Sequence, residues 1–132
     1  MRERATVVCW RNEKVLLVAR ARGRWTLPGG IVKRAESPLE AAVRELEEET
    51  GLAAHTFEYL FQFGGFTKRH HVFDALLPED AEPAPGNEIA RCGWFRPSKV
   101  ATLVASVPTQ QIVAIANRHT NVTIKPLTGR AG

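Results

Sequence analysis

The segment from Ser37 to Gly51 constrains this chain most, because it carries the signals for both ends of a helix with five glutamates between them. Ser37 is a good N-cap, Pro38 suits the first helical position and Glu40 completes a capping box. Gly51 is the residue type that ends a helix. Leu39, Ala42, Val43 and Leu46 recur at helical spacing, so residues 37–50 are predicted to form an amphipathic helix with Leu39, Val43, Leu46 and Thr50 on its apolar side. Glu40 and Glu47 fall on one flank of that stripe. Glu45, Glu48 and Glu49 fall on the opposite flank and back as i, i+3 and i+4 neighbours.

Three carboxylates on adjacent turns repel one another, and Glu48 and Glu49 also meet the negative end of the helix dipole. Two readings follow. The glutamates are a solvated face, the usual fate of charge on a helix, or they gather a hard divalent cation, which favours carboxylate oxygen. Pro28-Gly29-Gly30 precedes the helix at a fixed distance and permits close backbone approach, so a carbonyl there can turn towards a cation.

The surrounding residues describe a sheet. Ala5–Trp10 and Lys14–Ala19 are predicted to form a hairpin around Arg11-Asn12-Glu13. A short strand over Trp25–Leu27 is expected to stop at Pro28-Gly29-Gly30. Thr56–Phe63 and His70–Leu77 read as two strands joined through Gly64-Gly65, Pro78–Glu88 as a loop, and Arg91–Phe95 as a further strand. Pro97–Ala105 is expected to hold a short helical turn, and Thr109–Arg118 an amphipathic helix. Strands with one central and one C-terminal helix indicate an α+β fold, layered α/β/α.

With 132 residues the chain fits one domain, expected over residues 1–126, followed by a flexible tail at 127–132. No apolar run approaches the roughly 20 residues of a membrane span. No signal-peptide pattern opens the chain, so a cytoplasmic location and no membrane partner are expected. Cys9 and Cys92 stand apart in apolar surroundings and read as free thiols rather than a zinc or redox pair. The formal charge of +4 suits an anionic ligand. Arg20 and Arg24, just before the glycines, are candidates to hold phosphate. Adjacent His70 and His71 on a strand point to opposite faces, so they make a poor metal pair, and at least one is expected at the surface. Trp25, Phe63, Phe66 and Trp94 are read as buried or as able to stack a base.

Written out, Gly30-Ile-Val-Lys-Arg-Ala-Glu36 continues to Arg44-Glu45-Leu46-Glu47-Glu48-Glu49-Thr50-Gly51-Leu52. This resembles the Nudix signature G-x5-E-x7-R-E-U-x-E-E-x-G-U at all nine specified positions, U being a bulky apolar residue. Trp25–Gly30 ahead of it, and Asn87-Glu88-Ile89 with Trp94-Phe95 after it, resemble common flanking patterns of that family. One departure is Ala35, where many relatives have Gly.

The resemblance implies a Nudix-type α/β/α sandwich with a mixed central sheet and hydrolysis of a diphosphate linkage in a nucleoside diphosphate derivative. It implies Mg²⁺, or Mn²⁺, held by Glu48 and Glu49 with help from Glu45 and the Gly29 carbonyl. Glu45 or Glu88 would act as the base, and Gly30, Glu36, Arg44 and Gly51 would shape the box. The expected partner is a small nucleotide, with no nucleic acid, and self-association as a homodimer is left open. Two other readings are a Nudix-fold binding or regulatory module without chemistry, and an RNA 5′-pyrophosphohydrolase. The first would be expected to lose box carboxylates, and none is lost; the second would need a longer basic surface than these short clusters provide.

Overall fold

The computed structural model describes residues 1–118, so the expected tail at 127–132 and the domain end at 126 lie outside the described residues. Strands β1 (Arg2–Arg11) and β2 (Lys14–Arg20) form the predicted hairpin. Its two-residue turn holds Asn12 and Glu13 at φ 50° and 63°, the handedness that matches strand twist. Strands β4 (Thr56–Gly64), β5 (Lys68–Leu76) and β6 (Ile89–Phe95) fall close to their predicted spans.

The sheet runs β4-β5-β1-β2-β6. β1 and β5 are parallel and the other pairs antiparallel, so the sheet is mixed. Helix α1 (Pro38–Thr50) covers one face, where Ala41, Ala42 and Leu46 pack on Ala5, Val7, Cys9 and Phe73. The short α2 (Pro97–Val100) and a helix over residues 107–118, here α3, lie on the other. Ile112, Val113 and Ala116 of α3 pack there on Val8, Leu17 and Val72. The period-2 alternation along β1 supplies both cores, and the layers are α/β/α as expected. Among the described residues no helix is long and apolar enough to cross a membrane.

The strand predicted at Trp25–Leu27 is displaced. Thr26 and Trp25 make only isolated bridges, to Val18 and Ala105, and the strand β3 is Gly29–Ile31, paired with β1. The glycines expected to stop the strand are what lets it form. Gly29 sits at φ 153°, and a Cβ there would lie 2.1 Å from the Ala5 carbonyl oxygen. Only a residue without a side chain brings the two backbones into register.

β1 and β2 pair only beside their turn, at Trp10↔Val15 and Arg11↔Lys14, and then part. Residues 25–31 enter the gap. The Pro28 carbonyl accepts from the Val7 N–H at 2.9 Å, while Thr26 and Val18 exchange bonds at 2.8 and 2.9 Å. A split sheet with a glycine strand wedged into it creates the floor of the cavity described below.

Helix α1 has the predicted ends. Ser37 and Glu40 exchange capping bonds at 3.0 and 2.8 Å, and Gly51 closes the helix at φ 70°. Its buried face matches the predicted one at Ala42, Leu46 and Thr50 but not at Leu39 and Val43. Leu39 and Val43 are each 45% exposed, whereas Ala41, Ala42, Leu46 and Thr50 are buried. Taken with half-buried Glu45 and Glu49, the inward stripe is turned by roughly 80° at 100° per residue. The small Ala41 and Ala42 allow close approach to the sheet, and this brings Glu45 and Glu49 inward. Both histidines are buried, against expectation. His70 is hydrogen-bonded to Thr6 Oγ1 at 2.9 Å, and His71 to Glu3 at 2.6 Å and Tyr59 at 3.1 Å. They do face opposite sides of the sheet.

Candidate active site

Glu36 and Arg44 organise the entrance to helix α1. Arg44 Nε and Nη2 meet the two oxygens of Glu36 at 2.8 and 2.9 Å, a two-pronged ion pair. The same fork donates from Nη2 to the Ile31 carbonyl at 3.3 Å, and from Nη1 to Glu45 at 2.6 Å and Glu48 at 3.4 Å. Strand β3, the loop and the helix are thus tied through one guanidinium. The Arg44 bonds, with a backbone bond from Lys33, hold the Glu36 carboxyl down at about 2.

The inward side of α1 meets the glycine strand. Gly29 N–H donates to Glu49 Oε1 at 3.0 Å. At Gly30 a Cβ would stand 2.4 to 2.7 Å from the Glu45 carboxyl atoms, so the missing side chain is the space that carboxylate occupies. Burial pushes the Glu49 carboxyl up to about 7, opposed by the Gly29 bond and raised further by neighbouring Glu45.

The facing wall comes from the 78–88 loop. Its backbone satisfies carbonyls left open at the end of α1: Ala84 N–H donates to Thr50 O at 2.9 Å and Gly86 N–H to Glu49 O at 3.0 Å. The docked loop places Glu88 beside Arg20, which pairs with it at 2.8 Å. Arg20 itself closes β2 opposite Ile89 of β6.

These groups surround an open cavity of ≈ 450 Å³. Its lining includes Glu45, Glu49, Gly29, Gly30, Arg20, Arg24 and Glu88 of the predicted residues. Glu48 does not line it; its side chain is 42% exposed on the outer side of the helix. Glu36, Arg44 and Gly51 are not part of the lining. Glu40 and Glu47 face solvent as expected. Of the four aromatics, Trp25 packs edge-on against Phe95 and lies under Arg91, Trp94 lies under Arg11, and Phe63 packs on His70. Phe66 is fully exposed.

Sequence reasoning missed Arg4, which lines the same cavity and whose charge acts on both Glu45 and Glu49. Its signal was present. In a strand whose other inward residues are apolar, Arg4 and Thr6 form a polar pair at period two on one face.

A divalent cation fits the chemistry of this edge. Two carboxylates with hard oxygen donors converge on a cavity, one of them desolvated, and Mg²⁺ commonly uses one or two carboxylates together with substrate phosphates. No trio of acidic, histidine or cysteine side chains gathers at metal-binding spacing among the described residues. The edge suits a cation that also takes oxygens from a phosphorylated ligand.

The NUDIX domain family model matches residues 1–114, which include every element of this site. The chain belongs to the Nudix family. It is 33% identical over 124 residues to a Bacillus subtilis (strain 168) protein named as an 8-oxo-dGTP diphosphatase, covering 90% of this chain and 83% of that one. It is 30% identical over 121 residues to the m7GpppN-mRNA hydrolase NUDT17 of Xenopus laevis, covering 72% of this chain but only 41% of the longer protein. The crystal structure of a Nudix hydrolase family member from Chromobacterium violaceum superposes with a TM-score of 0.83 at 29% identity, covering 99% of this chain and 90% of that one. The chain is thus an enzyme of the Nudix hydrolase type, with the fold that its signature implied. Nudix hydrolases generally work with a divalent metal ion.

Proposed function

We propose that this Nudix hydrolase is a nucleotide pyrophosphohydrolase, cleaving a diphosphate linkage in a nucleoside diphosphate derivative with Mg²⁺ or Mn²⁺. One observation carries the reading: the carboxylates of Glu45 and Glu49 line the same cavity as Arg20 and Arg24. A cavity that holds both carboxylates and guanidinium groups suits a cation-bridged phosphate chain, the carboxylates for the cation and the arginines for phosphate oxygens.

Glu45 and Glu49 would hold the cation, with Glu48 on the solvent side of the same edge and the Gly29 backbone as a further oxygen donor. When bound, the cation supplies charge neutralisation at phosphate oxygens and lowers the pKa of a coordinated water. The protein's own contribution is orientation. Arg44 fixes one Glu45 oxygen, Gly29 N–H fixes one Glu49 oxygen, and each carboxylate keeps a second oxygen for the ligand. Arg20 and Arg24 would take phosphate oxygens, and Arg20 would exchange its Glu88 partner for them. Glu88, released at the opposite wall, and Glu45 are the two groups placed to take a proton from attacking water.

The test is a panel of nucleoside diphosphate derivatives assayed with Mg²⁺ and with Mn²⁺ for release of nucleoside monophosphate or phosphate. It should include oxidised nucleoside triphosphates, ADP-ribose, dinucleoside polyphosphates and capped or 5′-triphosphorylated RNA. Turnover of a small nucleotide supports the reading. Binding without turnover across the panel would sink it in favour of a binding module, and turnover of RNA alone would reassign it to 5′-end processing.

A further inference from the structure

A second cavity of ≈ 240 Å³ lies beside the first, and Arg4, Thr26 and Lys68 line both. Arg4 and Lys68 come from the parallel pair β1 and β5, whose register sets Arg2 opposite Lys68 and Arg4 opposite His70. Two cations therefore stand close together where the cavities meet. Neither forms an ion pair among the described residues.

Arg4 is held in place by neutral partners. Its Nε donates to Thr6 Oγ1 at 3.2 Å and Nη2 to the Leu27 carbonyl at 3.0 Å. Lys68 and His70 both register the positive charge at this junction. Burial and the charges of Arg4 and Arg2 lower the Lys68 pKa, burial lowers that of Arg4, and burial with Arg4 and Lys68 drives His70 down to about 4. Glu49 and Glu45 offset part of the Arg4 charge from the first cavity, whereas the charges acting on Lys68 are those of Arg4 and Arg2, and an anion would relieve that repulsion.

We propose that Arg4 and Lys68 form an anion-binding site at the junction of the two cavities, which holds a phosphoryl group of the substrate apart from the Glu45–Glu49 edge. The inference deepens the pyrophosphohydrolase reading and rests on it for the word substrate. It implies a ligand that threads both cavities: the scissile linkage at the carboxylates, a phosphoryl group under Arg4 and Lys68, and the remaining moiety in the second cavity. Neutral His70, hydrogen-bonded to Thr6, lines that second cavity and adds no charge to it at neutral pH.

Calorimetric titration with inorganic pyrophosphate, with all metal chelated, tests the site without catalysis. Wild type should bind, and Lys68→Gln and Arg4→Gln should each weaken binding at least fivefold. Lys99→Gln, an exposed change on α2, should not. The Lys68 side chain makes no hydrogen bond or ion pair among the described residues, so its variant decides the matter even if the Arg4 variant fails to fold. On a nucleotide substrate, Lys68→Gln should raise KM fivefold or more and leave kcat within twofold. Unchanged pyrophosphate affinity in the Lys68 variant overturns the site. Weakened affinity with unchanged KM overturns its assignment to the substrate and makes it a site for free phosphate. A wild type that turns over no nucleotide, yet loses pyrophosphate on Lys68→Gln, refutes the hydrolysis reading while the anion site stands.

Discussion

Arg44 grips Glu36 with two parallel bonds, at 2.8 and 2.9 Å, and its remaining nitrogen reaches Glu45 at 2.6 Å. One side chain therefore couples the folding of the loop to the aim of a cavity carboxylate. Lysine carries the charge but not the fork. Arg44→Lys is expected to lower kcat/KM by roughly 10- to 100-fold, the cost typical of losing a partner that orients a ligand. Steady-state kinetics beside a circular dichroism melt would separate misorientation from unfolding.

The same pair sets an acid limit. Glu36 ionises at about 2 in the folded chain against an ordinary 4.5. A depressed carboxyl adds stability that is complete above 4.5 and is lost as pH falls through 2. His70 adds loss earlier, because its folded value of about 4 lies below its ordinary 6.5, so the unfolded chain takes up the proton first. Glu49, whose carboxyl is raised to about 7, gains stability over much of the same range, so urea midpoints should stay nearly level from pH 6.5 to 4.5 and fall below it. In Glu36→Gln the drop below pH 4.5 should be blunted; an unaltered slope there would show that the pair does not govern acid stability.

Glu49 runs the opposite way. Its carboxyl, raised from 4.5 to about 7 by burial, makes folding costlier as pH rises through that window, and the cost is complete above it. Chelated of metal at pH 8, Glu49→Gln should melt higher than wild type, by an amount on the order of 3 kcal/mol at most, and the gap should close by pH 4. The variant should lose hydrolysis by 100-fold or more. Glu48→Gln, at an exposed position, should reduce metal-dependent turnover while leaving the melting temperature in place. A lower Tm for Glu49→Gln in chelator would refute the desolvation account.

Gly30→Ala inserts a methyl where the Glu45 carboxylate now sits, 2.4 Å from its carbon. The helix is anchored elsewhere by its caps and alanine face, so Glu45 must yield. Loss of Mn²⁺ affinity in calorimetry, with a stability cost of about 1–3 kcal/mol, is the expected outcome. Full activity would mean that Glu45 has freedom its surroundings do not suggest.

Ala35 adopts φ 66°, the left-handed region in which Cβ costs about 1–2 kcal/mol. Ala35→Gly should therefore stabilise the chain by about 0.5–1 kcal/mol after the added freedom of the unfolded state is counted. A Tm rise of about 2–4 °C with unchanged kinetics is expected.

Ser37, Pro38, Glu40 and Gly51 determined the helix and its ends by themselves, because capping is settled within one turn of chain. The nine positions of the signature likewise identified the family, and the apolar runs at Ala5–Trp10 and Lys14–Ala19 marked the two strands of the hairpin. Three features belong to the tertiary structure alone. Which side of α1 turns inward was decided by how closely Ala41 and Ala42 let it approach the sheet, so Glu45 and Glu49 entered the cavity while Leu39 and Val43 stayed half exposed. The pairing of Gly29–Ile31 with β1 depended on a gap opened by strands distant in sequence. The meeting of Arg4 with Lys68, and of Arg20 with Glu88, required strand register and loop docking across the whole domain. Local rules act over four residues, and none of these contacts lies within that reach.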